Sequence, residues 1–207
     1  MDAGRNLRLD HHGYSKIIDP ELEEKYGRDQ QEIRVGFELK LVGRKHPHLI
    51  QIFDGGRCPK TDFLFLVMEY LPYDNLDDLQ GKIPFNKIPQ IADQLAQAAR
   101  YLEEIDICHR DIKPENIVIT PDFEQIILLD LGILRPLVED HQDAGTGCNF
   151  IGTVRYSPPE FVWRVEEEDA VGHRAITFYQ IGAVLHDLIM RRRMRTAEQY
   201  STTLAAG

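Results

Sequence analysis

An apolar stripe, and the charged segment directly after it, constrain the fold of this chain more than any other feature. Ile88, Ile91, Leu95, Ala98, Leu102 and Ile105 recur at three- and four-residue spacing, which predicts an amphipathic helix with one buried face. Directly after it comes CHRDIKPENIVI, Cys108 to Ile119, with two acids, two bases, a histidine and an asparagine in an otherwise apolar run. Charge at that density, between a hydrophobic helix and a β-branched strand, belongs in a turn. Solvation would explain the charge alone; the order of the residues and the motifs downstream of them point further.

The remaining elements are coarser. YSKII predicts a short strand ended by the turn signal DP. From Pro20 to about Lys45 the residues are charged and helix-compatible, weakened by Gly27, Gly36 and Gly43. HLIQIF and FLFLVMEYL predict buried strands bounded by the turn-rich DGGRCPKTD. NIVIT and QIILLD, joined by PDFE, predict a hairpin. A loop rich in Gly, Asp and Thr runs on to SPPE, and a helix is expected from about Ala175 to Met190. That last apolar run is interrupted by Gln180, His186 and Asp187, so it reads as a buried helix rather than a membrane span. Strands early and helices late predict an α+β chain, a small lobe attached to a helical one, with the boundary near Pro72 to Asn75.

A length of 207 residues suits one domain or one domain with two lobes. A net charge of −10 argues against a nucleic-acid surface, which needs a basic face. Cys58, Cys108 and Cys148 are widely separated with no CxxC pair, which fits neither a disulfide framework nor a zinc site and suits a reducing cytoplasm. The first residues, MDAGRNLRLDHHG, lack the apolar core of a signal peptide, and there is no repeat.

The charged turn carries the chemistry. Asp111 and Asn116 lie five residues apart with Lys113 between them, and Asp130 ends the next hairpin strand before Leu131-Gly132. A carboxylate and an amide oxygen are hard ligands that suit Mg²⁺, which prefers few protein oxygens plus phosphate and water. A second carboxylate beside a substrate hydroxyl can accept its proton, and a lysine can steady a transferred phosphoryl group. These parts fit phosphoryl transfer.

In this order, HRDIKPEN, DLG and GTVRYSPPE resemble the signature set of a eukaryotic-type Ser/Thr protein kinase, over about Tyr14 to Met190. The resemblance implies a two-lobed kinase-like fold, with a partial small lobe over residues 1–72 and a partial helical lobe over residues 73–207. It implies ATP and Mg²⁺ as cofactors and a protein substrate bearing Ser or Thr. Asp111 would then orient the substrate hydroxyl as base, Lys113 would meet the γ-phosphate, and Asn116 and Asp130 would hold metal. Thr153 resembles the threonine whose hydroxyl meets the catalytic aspartate and lysine, and Glu160 the acid that anchors the end of the activation segment. Lys16 would be the ATP lysine. Glu38 would be its partner, with Glu32 the alternative, because the spacing to Pro47 is one residue shorter than the commonest pattern. Met68 would be the gatekeeper, and Glu69, Tyr70 and Leu71 would offer backbone groups to adenine. Arg110 resembles the arginine that receives an activating phosphate; Thr146 is the candidate site, and Glu139, Asp140 and Asp143 are acids that could substitute for it.

Departures accompany the matches. No GxGxxG precedes Lys16, so the family's glycine-rich hairpin is expected to be missing. Thr177 stands five residues before Gly182, where the family carries an aspartate that accepts from the catalytic-loop backbone, so a looser loop is expected. The later helices, with the arginine that pairs with Glu160, are also expected to lie outside this chain, as are further domains. A regulatory pseudokinase, a small-molecule phosphotransferase and a nucleotide-free interaction domain are the competing functions. Simpler roles are expected for His46 and His48 (a turn), Glu166 to Asp169 (a solvated loop), Arg191 to Arg195 (a helix end) and Cys108 (packing).

Overall fold

The computed structural model describes residues 6–9, 13–18, 20–21, 23, 27–130, 135–136, 153–163, 165, 167 and 169–194. Thr146, Glu139, Asp140 and Asp143 lie outside the described residues.

The first lobe is a four-stranded antiparallel sheet in the order β1-β2-β4-β3. Its strands are β1 (Asn6–Leu9), β2 (Gly13–Ile17), β3 (Ile52–Arg57) and β4 (Leu64–Glu69), and helix α1 (Arg28–Leu39) packs on β3 and β4. In β4, Leu64 and Leu66 are buried while Phe65 and Val67 are only half-buried, the alternation of a strand with one core face. Opposite it in β2, Lys16 pairs with Leu66 and Tyr14 with Met68, which sets Tyr14, Lys16 and Met68 on one side of the sheet.

Three boundaries differ from the sequence reading. A strand not anticipated, β1, pairs with β2 ahead of Lys16; no GxGxxG joins the two. The strand expected at HLIQIF starts later and continues through Asp54, Gly55 and Gly56. Gly55 permits this, because a Cβ there would stand 2.8 Å from the Phe65 carbonyl oxygen of β4. Of the long charged stretch, Arg28–Leu39 forms a regular helix, entered through Gly27 at φ 89°, a value that glycine adopts without strain.

The second lobe contains α2 (Ile88–Glu104), β5 (Ile107–Cys108), β6 (Ile117–Ile119), β7 (Ile126–Leu128), β8 (Arg135–Pro136), α3 (Pro159–Val162) and α4 (Ala170–Met190). The stripe of α2 is buried at Ile88, Ile91, Leu95, Ala98 and Leu102, and the helix packs against α4 and β7. β6 and β7 form the expected hairpin, with Ile117 opposite Leu128. α4 begins five residues earlier than its apolar run, because Asp169 caps it by accepting the Gly172 N–H at 2.7 Å. The acid read as part of a solvated loop is therefore a helix cap.

The lobes share one core. The backbone between α1 and β3 runs beside β7, with Ile50 N donating to Leu128 O and Leu128 N to His48 O, both at 3.0 Å. His48 also meets Ile126 O through Nδ1 at 3.1 Å, and the His46 ring stacks on Tyr101 with centroids 4.8 Å apart. Both histidines thus brace the junction. Among the described residues, no helix is long and apolar enough to cross a membrane.

Leu95 is fully buried in α2, so Leu95→Ala should lower the free energy of urea unfolding by about 2–5 kcal/mol. Arg100, with 80% of its side chain exposed on the same helix, should tolerate alanine within about 0.5 kcal/mol.

Candidate active site

The charged turn is buried, contrary to its simplest sequence reading. His109, Arg110, Asp111 and Asn116 expose between 2% and 7% of their surface. Such burial demands partners. The His109 ring supplies two: Nδ1 accepts the Asp111 N–H at 3.2 Å, and Nε2 donates to the Leu129 carbonyl at 3.0 Å. That pairing requires a neutral ring, and burial holds its pKa below the ordinary value. Between His109 and Asp111 the chain turns at Arg110 with φ 64°, a left-handed value rare for a side chain of this size.

The Asp111 carboxylate lies at the centre of a closed set of contacts. Lys113 Nζ is 2.9 Å from Oδ2, the Thr153 N–H donates to Oδ1 at 3.1 Å, and Asn116 Nδ2 donates to Oδ2 at 3.2 Å. Asn116 Nδ2 also donates to the Asp111 carbonyl at 3.0 Å, which leaves its carbonyl oxygen as the group it can offer a cation. Lys113 Nζ donates to Thr153 Oγ1 at 2.7 Å. Thr153 therefore meets the lysine with its hydroxyl and the aspartate with its backbone N–H, whereas the resemblance implied the hydroxyl for both.

A second charged set joins the lobes. Lys16 Nζ lies 2.9 Å from Asp130 Oδ1, at the end of the hairpin, where Asp130 adopts φ 46°. Glu38 is buried within Coulombic reach of both. Burial pushes its pKa up to about 7; Lys16 opposes the rise and Asp130 adds to it. Burial opposes the charge of Lys16, but Asp130 and Glu38 together outweigh it and its pKa is raised. Burial likewise works against Asp130, yet Lys16 holds its carboxyl below the ordinary value. Glu32 points elsewhere: it accepts from Arg57 at 2.8 Å in a network with Glu23. Glu38, not Glu32, stands beside Lys16.

The segment after β4 is placed by strand register. Met68 packs partly against the core, the Glu69 N–H donates to Gln51 O at 2.9 Å, and Leu71 is half-buried. The Tyr70 ring is stacked with Tyr14, centroids 5.8 Å apart, beside the Lys16 strand. Beyond Thr153, Glu160 is exposed in α3. The Arg110 guanidinium lies 4.5 Å over the Phe161 ring.

Tyr156, Asp187 and Gln180, none of them among the sequence-derived site residues, complete the site. Tyr156 is fully buried and donates to Asp187 Oδ2 at 2.9 Å; burial first and then Asp187 hold its pKa well above the usual tyrosine value. Gln180, visible in the sequence only as a break in an apolar run, bonds the catalytic-loop backbone on both sides of Asp111: Nε2 donates to Arg110 O at 2.8 Å and Oε1 accepts Ile112 N–H at 3.1 Å. Thr177 does not reach the loop, since its hydroxyl donates to His173 O within α4 at 3.0 Å. The loop expected to be loose is therefore held from three residues further along the helix.

A small sheet lobe, a helical lobe and a buried aspartate–lysine–asparagine loop between them define a protein kinase catalytic domain. Residues 10–206 match the protein kinase domain family, and the chain belongs to it. The serine/threonine-protein kinase PknB of Mycolicibacterium smegmatis is 27% identical over 200 residues, which cover 91% of this chain and 30% of that protein. The serine/threonine-protein kinase pkn2 of Myxococcus xanthus is 32% identical over 184 residues, covering 86% of this chain and 21% of that protein. The chain thus spans less than a third of either curated relative. The structure of the Cydia pomonella granulovirus kinase PK-1 has the same fold, with a TM-score of 0.65 at 20% identity over 93% of this chain and 66% of that one.

The raised Glu38 pKa has a signed consequence. Between the ordinary carboxyl value and about 7, the folded chain keeps a proton that the unfolded chain has released, so stability falls as pH rises through this window. His109 acts in the opposite sense below its ordinary value, because the unfolded chain takes up a proton that the folded ring refuses. Glu38→Gln removes the first effect and keeps the second. From pH 5 to pH 8, the unmodified chain should lose on the order of 2–3 kcal/mol relative to this variant in urea unfolding. A difference independent of pH would remove Glu38 as a titrating group.

Proposed function

We propose that this chain transfers the γ-phosphoryl group of Mg-ATP to Ser or Thr hydroxyls of a protein substrate. The observation that carries the reading is the buried Asp111 carboxylate, held by Lys113, Asn116 and the Thr153 N–H within 3.2 Å. An isolated surface turn has no reason to gather these partners. Asp111 accepts the hydroxyl proton of the substrate and orients that oxygen for attack. Lys113, set between Asp111 and Thr153, is placed to steady the transferred group.

The donor set fits Mg-ATP. Asp130 offers a carboxylate and Asn116 an amide oxygen, and a cation that keeps several waters needs few protein oxygens. Bound Mg²⁺ would neutralise the phosphates and orient them for in-line displacement. Lys16 supplies a cation for phosphate oxygens, and Glu38 is the carboxylate beside it. Met68 and the backbone of Glu69, Tyr70 and Leu71 would form the adenine edge, where the Tyr14–Tyr70 pair adds an aromatic wall. In this reading residues 1–72 form the ATP-holding lobe and residues 73–207 the substrate lobe, with Glu160 and Thr146 in the activation segment. Cys58 and Cys108 are not joined in a disulfide, which suits a reducing, cytoplasmic setting.

Asp111→Asn should cut kcat for a Ser/Thr peptide by about 10²–10⁴-fold while nucleotide affinity stays within a few-fold. Asp130→Ala should weaken binding of an ATP analogue far more with Mg²⁺ than without it, by calorimetric titration. Normal turnover in Asp111→Asn, or equal losses with and without Mg²⁺ in Asp130→Ala, would overturn the respective role.

A further inference from the structure

We infer that Gln180 is the positioning residue of the catalytic loop, and that the loop requires an amide there because it needs one donor and one acceptor at the same point. The inference rests on the proposed transferase reading for the reaction it serves, but the loop geometry stands apart from it. Gln180 has no exposed surface, and its neighbours on α4, Ile176, Ile181, Ala183 and Val184, are buried apolar residues. A buried amide in that setting persists only if both its ends are satisfied. They are: Nε2 reaches Arg110 O at 2.8 Å and Oε1 receives the Ile112 N–H at 3.1 Å.

These two bonds straddle Asp111. The backbone groups they satisfy lie outside every helix and strand ladder of the fold, so α4 supplies partners that secondary structure does not. They also fix the peptides flanking the left-handed turn at Arg110, φ 64°, a conformation that persists only where its surroundings over-determine it. The direction of the Asp111 side chain is set by that turn. An ionised carboxylate at this place would still accept from Ile112 N–H, but its other oxygen would face the Arg110 carbonyl with no hydrogen between them. A protonated carboxyl would supply that hydrogen, so Gln180→Glu is compared with the unmodified chain at about pH 9. Thr177 lies one helical turn earlier and is engaged with His173 O.

Three substitutions in the whole chain separate these statements: Gln180→Ala, Gln180→Glu, and Thr177→Ala as a control. Amide hydrogen exchange reports the geometry. In Gln180→Ala, exchange at Ile112 should accelerate at least about tenfold while the α2 and β6–β7 amides stay as in the unmodified chain; in Gln180→Glu, Ile112 should stay protected. Peptide phosphorylation reports the consequence. Both Gln180 variants should lose about ten- to a hundredfold in kcat, with KM for ATP within about threefold, because Lys16 and Asp130 are untouched. Thr177→Ala should match the unmodified chain in both readouts.

Unchanged Ile112 exchange in Gln180→Ala would overturn the inference, and so would acceleration spread equally over α2, which would mark a general packing defect. If Gln180→Ala does not fold, the isosteric Gln180→Glu decides: protected Ile112 with depressed kcat supports the amide requirement, and kcat within about twofold of the unmodified chain overturns it. An unmodified chain without transferase activity would sink the functional reading instead, and the exchange results would still decide the geometry.

Discussion

The buried carboxylate of Asp111, 4% exposed, is the constraint around which the second lobe is organised. Removing an ionised carboxylate from water costs several kcal/mol unless charge and hydrogen bonds replace the lost solvent. Here the replacements come from separate parts of the chain: Lys113 and Asn116 from the loop itself, and the Thr153 N–H from the segment leading to α3. Each must arrive at a fixed place, so the hairpin, the loop and the later segment cannot be positioned independently. The apolar core beneath supplies the cohesion; the buried charge selects the arrangement.

The first lobe connects to this centre through one ion pair and a shared core. Lys16 in β2 meets Asp130 two residues past β7, and Ile50 continues the backbone pairing across the junction. Partly exposed ion pairs contribute little stability on their own. The buried residues Leu49, Ile50, Ile52 and Leu128 hold the lobes together, and the ion pair fixes which polar groups face one another. Burial lets Glu38 hold its proton up to about pH 7, since the hydrogen bond of Lys16 is committed to Asp130.

Much of this was legible in the sequence where a local signal carried it. The α2 stripe and the β6–β7 hairpin sit where periodicity predicts them; the structure brings Asp111, Lys113 and Asn116 together in the loop between them and sets Asp130 against Lys16 just past β7. Boundaries set by backbone approach were not legible: nothing in the composition of DGGR announces that Gly55 lets the strand run on beside Phe65. The sequence favoured Glu38 and kept Glu32 as the alternative; what it did not show is that Arg57, a residue with no place in the motif, engages Glu32 instead. Gln180 escaped for a related reason. Its role depends on a contact 70 residues away, and a single polar residue in an apolar helix carries no sequence pattern of its own.

That helix shows how polar interruptions acquire meaning. An apolar segment of this length needs polar residues neither to fold nor to pack, and each buried one costs stability unless its partner is in place. Three polar residues at or within α4 have such partners. Asp169 caps the first turn, and Gln180 in the middle holds the catalytic loop. Asp187 near the end takes the Tyr156 hydroxyl on one oxygen and the Met194 N–H on the other. The cap and the Met194 contact stabilise the helix ends, while Gln180 ties the helix to the backbone on either side of Asp111 and the Tyr156 contact ties it to the segment after Thr153. Residues that exclude a membrane span are thus the ones through which the helix orients the site. A uniformly apolar α4 would bury as well and leave the loop without its anchor.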